Sequence, residues 1–518
     1  MTYDIILFTD SIIGYSRIRT LGPYRLASEL RKHGYTVKVV DHTQHIFCDH
    51  RLALKIFKNL IGDNTIFVGF SGTHFSTKAV SKLSFSHNNA YQETMGYRPS
   101  PYPGDEKRFS IFLSTIKSIN RNTKIVYGGA WTNAGIKFNA GIDYVVKGLA
   151  DTTIVELANH LKFGTPLKFM PGSYPGQKLI NHDPLGLSFD FPNSFTKFEP
   201  TDHIRQGEVM CIETSRGCMF KCKFCTYLLL GRKKTDPKYH KEIDIITQEL
   251  KYNWDNYRIN KYYIIDDTFN ETTEKLEAIK QAVIQAGVPD FSFFAFLRLD
   301  LIKKHPEQIQ LLKDMGLTSA YFGIETFNDA TLKLIGKPMK SSMVKEFLGE
   351  LKLAWGNQVM IYGSFIFGLP YDTPETVSKW MEWLEDANCP IDYVRVHPFH
   401  MYKDIPSVFG LDIEKYGYSL TELDDKYEFD TEVHWKNEHW NVNDVNILAK
   451  KYMEKMYYSR RNKVSAYEVM GLQDIGYKFS DIQTRAKFDY DRIEIKNRLE
   501  MQKNEYIAEL CKYEGIDI

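Results

Sequence analysis

Three cysteines, Cys218, Cys222 and Cys225, crowd into the segment ETSRGCMFKCKFCTY (213–227). The spacing C-x3-C-x2-C on a short loop suits three thiolates that ligate three irons of a four-iron, four-sulfur cubane and leave the fourth without a protein ligand. Catalysis asks for an open metal position, just as catalytic zinc keeps one site free. A structural zinc site is the alternative. It wants a fourth soft ligand, usually from a second C-x2-C pair, and Cys48, Cys211, Cys389 and Cys511 form no such pair. Seven cysteines in 518 residues also argue against a disulfide scaffold, which would be short and evenly cysteine-rich.

The elements that must position this loop follow from periodicity. Strand patterns at 208–213, 261–266, 292–297, 319–324, 359–367 and 391–397 alternate with helical patterns near 240–256, 271–286, 305–315, 328–352 and 374–387. Six strands with intervening helices predict a partial (β/α)6 barrel over 208–397, with its active site at the strands' C-terminal ends. The cysteine loop falls just past the first of them. Residues 1–162 show a separate alternation, with strands at 5–8, about 36–42, 65–71, 124–129 and 143–148 and helices between, which predicts a doubly wound parallel sheet. Residues 74–107, rich in Ser, Asn, Tyr and Pro, read as an insertion or lid. Residues 163–207, punctuated by Pro and Gly, read as a linker. The 398–518 region is mainly helical and is expected to cap the barrel. Its Trp435 and Trp440 read as buried packing ahead of a substrate stack.

The cysteine motif, including Phe224 before the last cysteine, resembles that of the radical S-adenosylmethionine (SAM) superfamily, and the resemblance runs over 208–397. It implies that SAM chelates the open iron and yields a 5′-deoxyadenosyl radical, with the backbone at Phe224 against the adenine. YYIIDDTF (262–269) resembles the segment that meets the methionyl amino group, which places Asp266 and Asp267 there. FLRLD (296–300) resembles the segment with an inward arginine, Arg298. FGIET (322–326) places Glu325 near the SAM carboxylate or ribose, and SFIFGLPYDT (364–373) matches a glycine-proline signature at Gly368.

Residues 1–162 resemble the cobalamin-binding domain that precedes the barrel in one branch of the superfamily. Ser71, Gly72, Thr73, Gly128 and Gly129 are small residues at strand ends, where a bulky ligand can approach backbone. The loop D-S-I-I-G (10–14) departs from the D-x-H-x-x-G element, with Ile12 where the cobalt-ligating histidine would stand, and Leu149 and Ala150 replace the usual acidic residues. A flavodoxin-like domain that has lost its ligand is the alternative.

Cysteine counting prunes the subclasses: a second cluster on N-terminal cysteines, or an auxiliary one after the barrel, lacks the thiols. The expected function is a cobalamin-dependent radical SAM C-methylase. The alternatives are a radical SAM enzyme that rearranges, cyclises or oxidises its substrate without methyl transfer, and a non-catalytic metal- or nucleotide-binding module. With 66 Lys+Arg against 65 Asp+Glu there is no global field to draw nucleic acid or an anionic membrane, so a small-molecule substrate is favoured. The opening MTYDIILFTDS lacks a signal-peptide n-region, and no apolar stretch approaches the ~20 residues that span a bilayer. The expectation is a cytosolic enzyme served by a flavodoxin- or ferredoxin-type reductant.

Overall fold

The computed structural model describes residues 2–10, 18–72, 106–129, 140–227, 229–233, 235–401, 414–421, 435–459, 462, 464–485 and 492–517. The expected 74–107 insertion, Thr73 and Ile12 lie outside these residues, apart from the insertion's last two positions. The chain divides into two compact units. One comprises Met1–Val80, Tyr97–Glu208 and Ile493–Ile518, and the other is chiefly Val209–Arg492.

The first unit is built on a sheet whose strands, numbered along the chain, lie in the order 2-1-3-4-5-7-6. Ile5–Phe8 sits between Val37–Val40 and Phe67–Ser71, then come Lys124–Gly129 and Tyr144–Lys147, all parallel. Ile5–Phe8 and Val37–Val40 are buried at every position, as expected of parallel strands covered on both faces. The order reverses between the first and third strands, and ligands of such sheets bind at that switch point, outside the carboxyl ends. Residues 163–207, read as a linker, contribute two further strands. Lys178–Ile180 pairs in parallel with Tyr144–Lys147 and antiparallel with Met170–Pro171. Strands of two and three residues are too short for a period of two to register.

The last helix, Arg492–Glu514, packs on this same sheet. Tyr506, Ile507, Leu510 and Cys511 enter the core formed by Ile6, Phe8, Val40 and Phe57. Lys38, on the edge strand Val37–Val40, meets Glu514 at 2.9 Å with both side chains fully buried. Burial pulls the Lys38 ammonium down, and the Glu514 carboxylate opposes that shift. Removing one partner of such a pair strands the other charge in the core, at a cost of about 3–5 kcal/mol. Glu514→Ala is therefore expected to destabilise the first unit by that amount in urea unfolding. Lys38→Met in the same chain should restore most of the loss, and a double variant as weak as the single one would refute the account.

The second unit holds a six-stranded, all-parallel sheet whose strands follow one another in chain order. They are Met210–Ile212, Lys261–Ile264, Ser292–Leu297, Leu317–Glu325, Met360–Phe367 and Tyr393–Pro398. This is the partial barrel expected from the alternation. The helix expected over 328–352 is two, Asp329–Ile335 and Ser341–Trp355, because Gly336 and Pro338 break it. Among the described residues no helix is long and apolar enough to cross a membrane.

Candidate functional site

The loop carrying the cysteines leaves the first barrel strand and is tied down at once. The Thr214 and Ser215 backbone N–H groups donate to Asp266 Oδ1 at 2.7 and 3.1 Å, and both side-chain hydroxyls donate to Asp266 Oδ2. Lys275 Nζ lies 2.9 Å from Asp266, 2.9 Å from Ser215 Oγ and 3.0 Å from Glu271. Lys275 occupies the first turn of helix Thr273–Ala286, which starts where Thr272 caps the Lys275 N–H. Further on the loop folds back on itself: the Cys218 N–H donates to the Leu229 carbonyl at 2.8 Å, and the Arg232 N–H to the Cys218 carbonyl at 3.1 Å.

The three sulfurs meet different surroundings. Cys218 is buried, with its Sγ 3.3 Å from Thr268 Oγ1 and 3.4 Å from the Phe220 N–H. Cys222 and Cys225 are half-buried, and Arg298 Nη1 lies 3.5 Å from Cys222 Sγ. Burial, first, pushes the Cys225 thiol up to about 12; the nearby charges of Cys222, Asp267 and Cys218 push the same way, against a hydrogen bond from the Tyr227 backbone. Burial likewise raises Cys218, with Asp267 and Cys222 adding to it. Three sulfurs and a carboxyl within electrostatic range of one another resist becoming anions together unless positive charge joins them. Bound metal inverts that logic and holds thiolates ionised. Among the described residues no group of three His, Cys, Asp or Glu side chains is arranged to hold a metal ion. A cubane asks for something else, thiolates set around a cube of irons rather than about one ion, and the donor set fits that group.

The neighbouring aspartates part company. Asp266 spends both oxygens on the loop and Lys275. Asp267 faces the sulfurs, accepts no hydrogen bond among the described residues, and is pushed up to about 7 by burial and by the charges of Asp266, Glu213 and Glu271. Arg298 follows the third strand, forks onto Asp300 at 2.9 and 3.1 Å, and stacks its guanidinium 3.7 Å from the centre of the Phe220 ring. Glu325 ends the fourth strand with φ 73°, a region non-glycine residues seldom occupy. There the ladder to the fifth strand slips between Gly323 and Glu325. Its buried carboxylate lies 3.4 Å from Lys337 Nζ. Burial raises it, while Lys337 and Arg298 draw it down. Phe224 is half-buried between Lys223 and Cys225.

Gly368 sits differently from the rest. With φ 89°, a Cβ there would come 2.7 Å from Trp435 Cη2 and 2.9 Å from Val445 Cγ1, and its carbonyl accepts the Tyr418 hydroxyl at 2.7 Å. Its smallness makes room for Trp435. Trp435 and Trp440 are both buried and donate their indole N–H groups to the carbonyls of Phe399 and Asp372, so the packing reading holds. Sequence reasoning missed Thr268, Phe220, Lys275 and Asn270. The only signal for the first was its place directly after the paired aspartates.

In the first unit, Ser71 and Gly128 are register partners at the ends of adjacent strands, and both are partly exposed with Gly72 and Gly129. A side chain at Gly128 would meet the Val146 carbonyl at 2.9 Å, so that glycine serves the neighbouring strand. Ser71, Gly72 and Gly129 are small, partly exposed residues at the carboxyl edge, where the Gly72 N–H donates to the Gly128 carbonyl at 2.6 Å, and their size fits a bulky ligand approaching there.

A family model described as the radical SAM superfamily matches residues 212–384. Those residues are a radical SAM domain. An uncharacterized methyltransferase of Pyrococcus horikoshii is 27% identical over 290 residues, 54% of this chain and 61% of that protein, so the match spans under two thirds of that relative. Among solved structures, the radical SAM methyltransferase TsrM from Kitasatospora setae, with tryptophan substrate and the SAM analog aza-SAM bound, covers 98% of this chain and 99% of its own at 14% identity and a TM-score of 0.63. The cobalamin-dependent SAM radical enzyme OxsB, with aqua-cobalamin and SAM bound, matches 99% of this chain and 81% of its own at 14% identity and a TM-score of 0.59. At these identities the likeness is one of fold, and it extends from the radical SAM domain to both flanking regions.

Proposed function

We propose that the chain is a cobalamin-dependent radical SAM enzyme that methylates an unactivated carbon of a small molecule. The observation that carries the reading is the three-thiol loop, held on a partial barrel that follows a doubly wound sheet with small, partly exposed residues at its carboxyl edge. Cys218, Cys222 and Cys225 hold the four-iron, four-sulfur cluster, and Asp267, Arg298 and Glu325 face SAM, with the Phe224 backbone against its adenine. Asp266 serves the site indirectly, by fixing the loop. Ser71, Gly72, Thr73 and Gly129 receive cobalamin with no protein histidine on cobalt. When bound, these groups supply hydrogen-atom abstraction and a methyl carrier; the protein supplies orientation and exclusion of water. The enzyme works in the cytosol, and a flavodoxin- or ferredoxin-type partner delivers the electron.

The test is incubation of the anaerobically reconstituted protein, loaded with cobalamin, with labelled SAM and an extract of its own cells. Methylation should yield both S-adenosylhomocysteine and 5′-deoxyadenosine together with a labelled methylated product. 5′-Deoxyadenosine alone would replace this reading with rearrangement, cyclisation or oxidation, and neither product would leave a binding module. The cob(II)alamin form should show an electron paramagnetic resonance spectrum free of nitrogen superhyperfine splitting, and such splitting would refute the histidine-free site.

A further inference from the structure

We infer that Arg298 raises the reduction potential of the cluster, as a fixed cation held against the sulfur of Cys222; this rests on the reading that the three cysteines hold that cluster. Of the three sulfurs, Cys218 is approached by the neutral Thr268 hydroxyl and Phe220 N–H, whereas Cys222 is approached by a guanidinium, 3.5 Å away. Hydrogen bonds with an ionised donor are roughly twice as strong as neutral ones.

The guanidinium is locked there from several sides. Asn270 Oδ1 accepts the Arg298 backbone N–H at 2.8 Å, and Asn270 Nδ2 donates to the Arg298 carbonyl at 3.1 Å. Asn270 Nδ2 is itself placed by Gln308 Oε1 at 3.0 Å. Asp300 takes Nε and Nη2, the Phe220 ring covers the flat face, and Nη1 is left aimed at Cys222. Arg298 is only 7% exposed, so water screens this charge little.

Reduction adds one electron to a group already made anionic by three thiolates. A cation fixed beside one of those sulfurs stabilises the reduced form more than the oxidised one, and hydrogen bonds to sulfur are among the levers that set cluster potentials. The geometry therefore makes Arg298 a positioning and tuning residue for electron entry, separate from any contact it makes with SAM.

The test compares the full chain with Arg298→Gln and Arg298→Lys, each reconstituted anaerobically and titrated without SAM under electron paramagnetic resonance. Arg298→Gln should make reduction at least tenfold less favourable, about 59 mV for a one-electron couple, at iron and sulfide contents equal to wild type. Arg298→Lys, which keeps the charge and loses the fork, should fall between. Equal potentials, within twofold in the equilibrium constant, at equal cluster content would overturn the inference. A wild-type chain that takes up no four-iron cluster would instead overturn the reading beneath it. Should Arg298→Gln fail to hold a cluster, wild type grown on arginine labelled with 15N in the guanidinium supplies the second readout. Its reduced cluster should show a 15N coupling by pulsed resonance that Arg298→Lys lacks, and absence of that coupling in wild type would also sink the idea.

Discussion

Replacing any one of Cys218, Cys222 or Cys225 with Ala is expected to abolish reductive cleavage of SAM and to lower bound iron from a full cluster to a small fraction of it. The effect should be all-or-none because, among the described residues, no other thiol belongs to the loop. Cys211 lies within the first barrel strand, 2% exposed, with its thiol pushed up by burial. Cys389 follows the helix Pro374–Glu385, and Cys511 belongs to the other unit. Cys211→Ala is the matched control, since it removes a buried sulfur from the strand that launches the loop and should leave the cluster intact. Wild-type 5′-deoxyadenosine formation by Cys222→Ala would end the assignment. Loss of the cluster in Cys211→Ala alone would move it to a different set of sulfurs.

The second large effect separates two adjacent aspartates. Asp266→Ala removes the acceptor for two backbone N–H groups, two hydroxyls and the Lys275 ammonium at once. Lys275 then keeps only Glu271 and Ser215 in a buried pocket. Losing that carboxylate together with the loop hydrogen bonds it accepts costs about 3–5 kcal/mol, which for a unit of about 300 residues is a fall in melting temperature of roughly 5–8 °C. The start of the cysteine loop should loosen with it, so iron uptake falls too. Asp267→Ala should behave oppositely. Its carboxyl makes no hydrogen bond among the described residues and is pushed up first by burial and then by like charges, so its removal relieves both. Melting temperature and iron content should stay near wild type while SAM binding, read by calorimetry on the reconstituted protein, weakens at least tenfold. If Asp266→Ala keeps its stability, or Asp267→Ala loses its own, the division of labour is wrong.

That division could not be read from the chain. The sequence places Asp266 and Asp267 side by side after a strand, and the resemblance assigns both to SAM. Successive residues leaving a strand diverge, however, and which one turns under the loop depends on Thr214 and Ser215, 52 and 51 residues away. Gly368 shows the same limit. A glycine-proline turn is legible locally, but Trp435, whose indole takes the space a side chain would fill, arrives from a distant part of the chain.

The strand and helix series was legible because it depends on local periodicity. Ile5–Phe8, Lys124–Gly129 and the six barrel strands are mostly buried apolar runs, and several helices between them stop on a glycine, as at Gly287, Gly336 and Gly356. The cysteine loop was legible for a stronger reason: three cysteines within eight residues lie on one short loop, so their spacing alone keeps their sulfurs near one another. Tertiary structure decided the rest, because it rests on pairings the local pattern does not contain. Lys178–Ile180 becomes a strand only because Tyr144–Lys147 offers an open edge. The helix Arg492–Glu514 has a charged, weakly patterned sequence that names no partner. It joins the first sheet because the Tyr506 hydroxyl accepts the Asp41 backbone N–H across 465 residues, the Tyr3 hydroxyl donates to Glu514 across 511 residues, and the buried Lys38 ammonium pairs with that carboxylate.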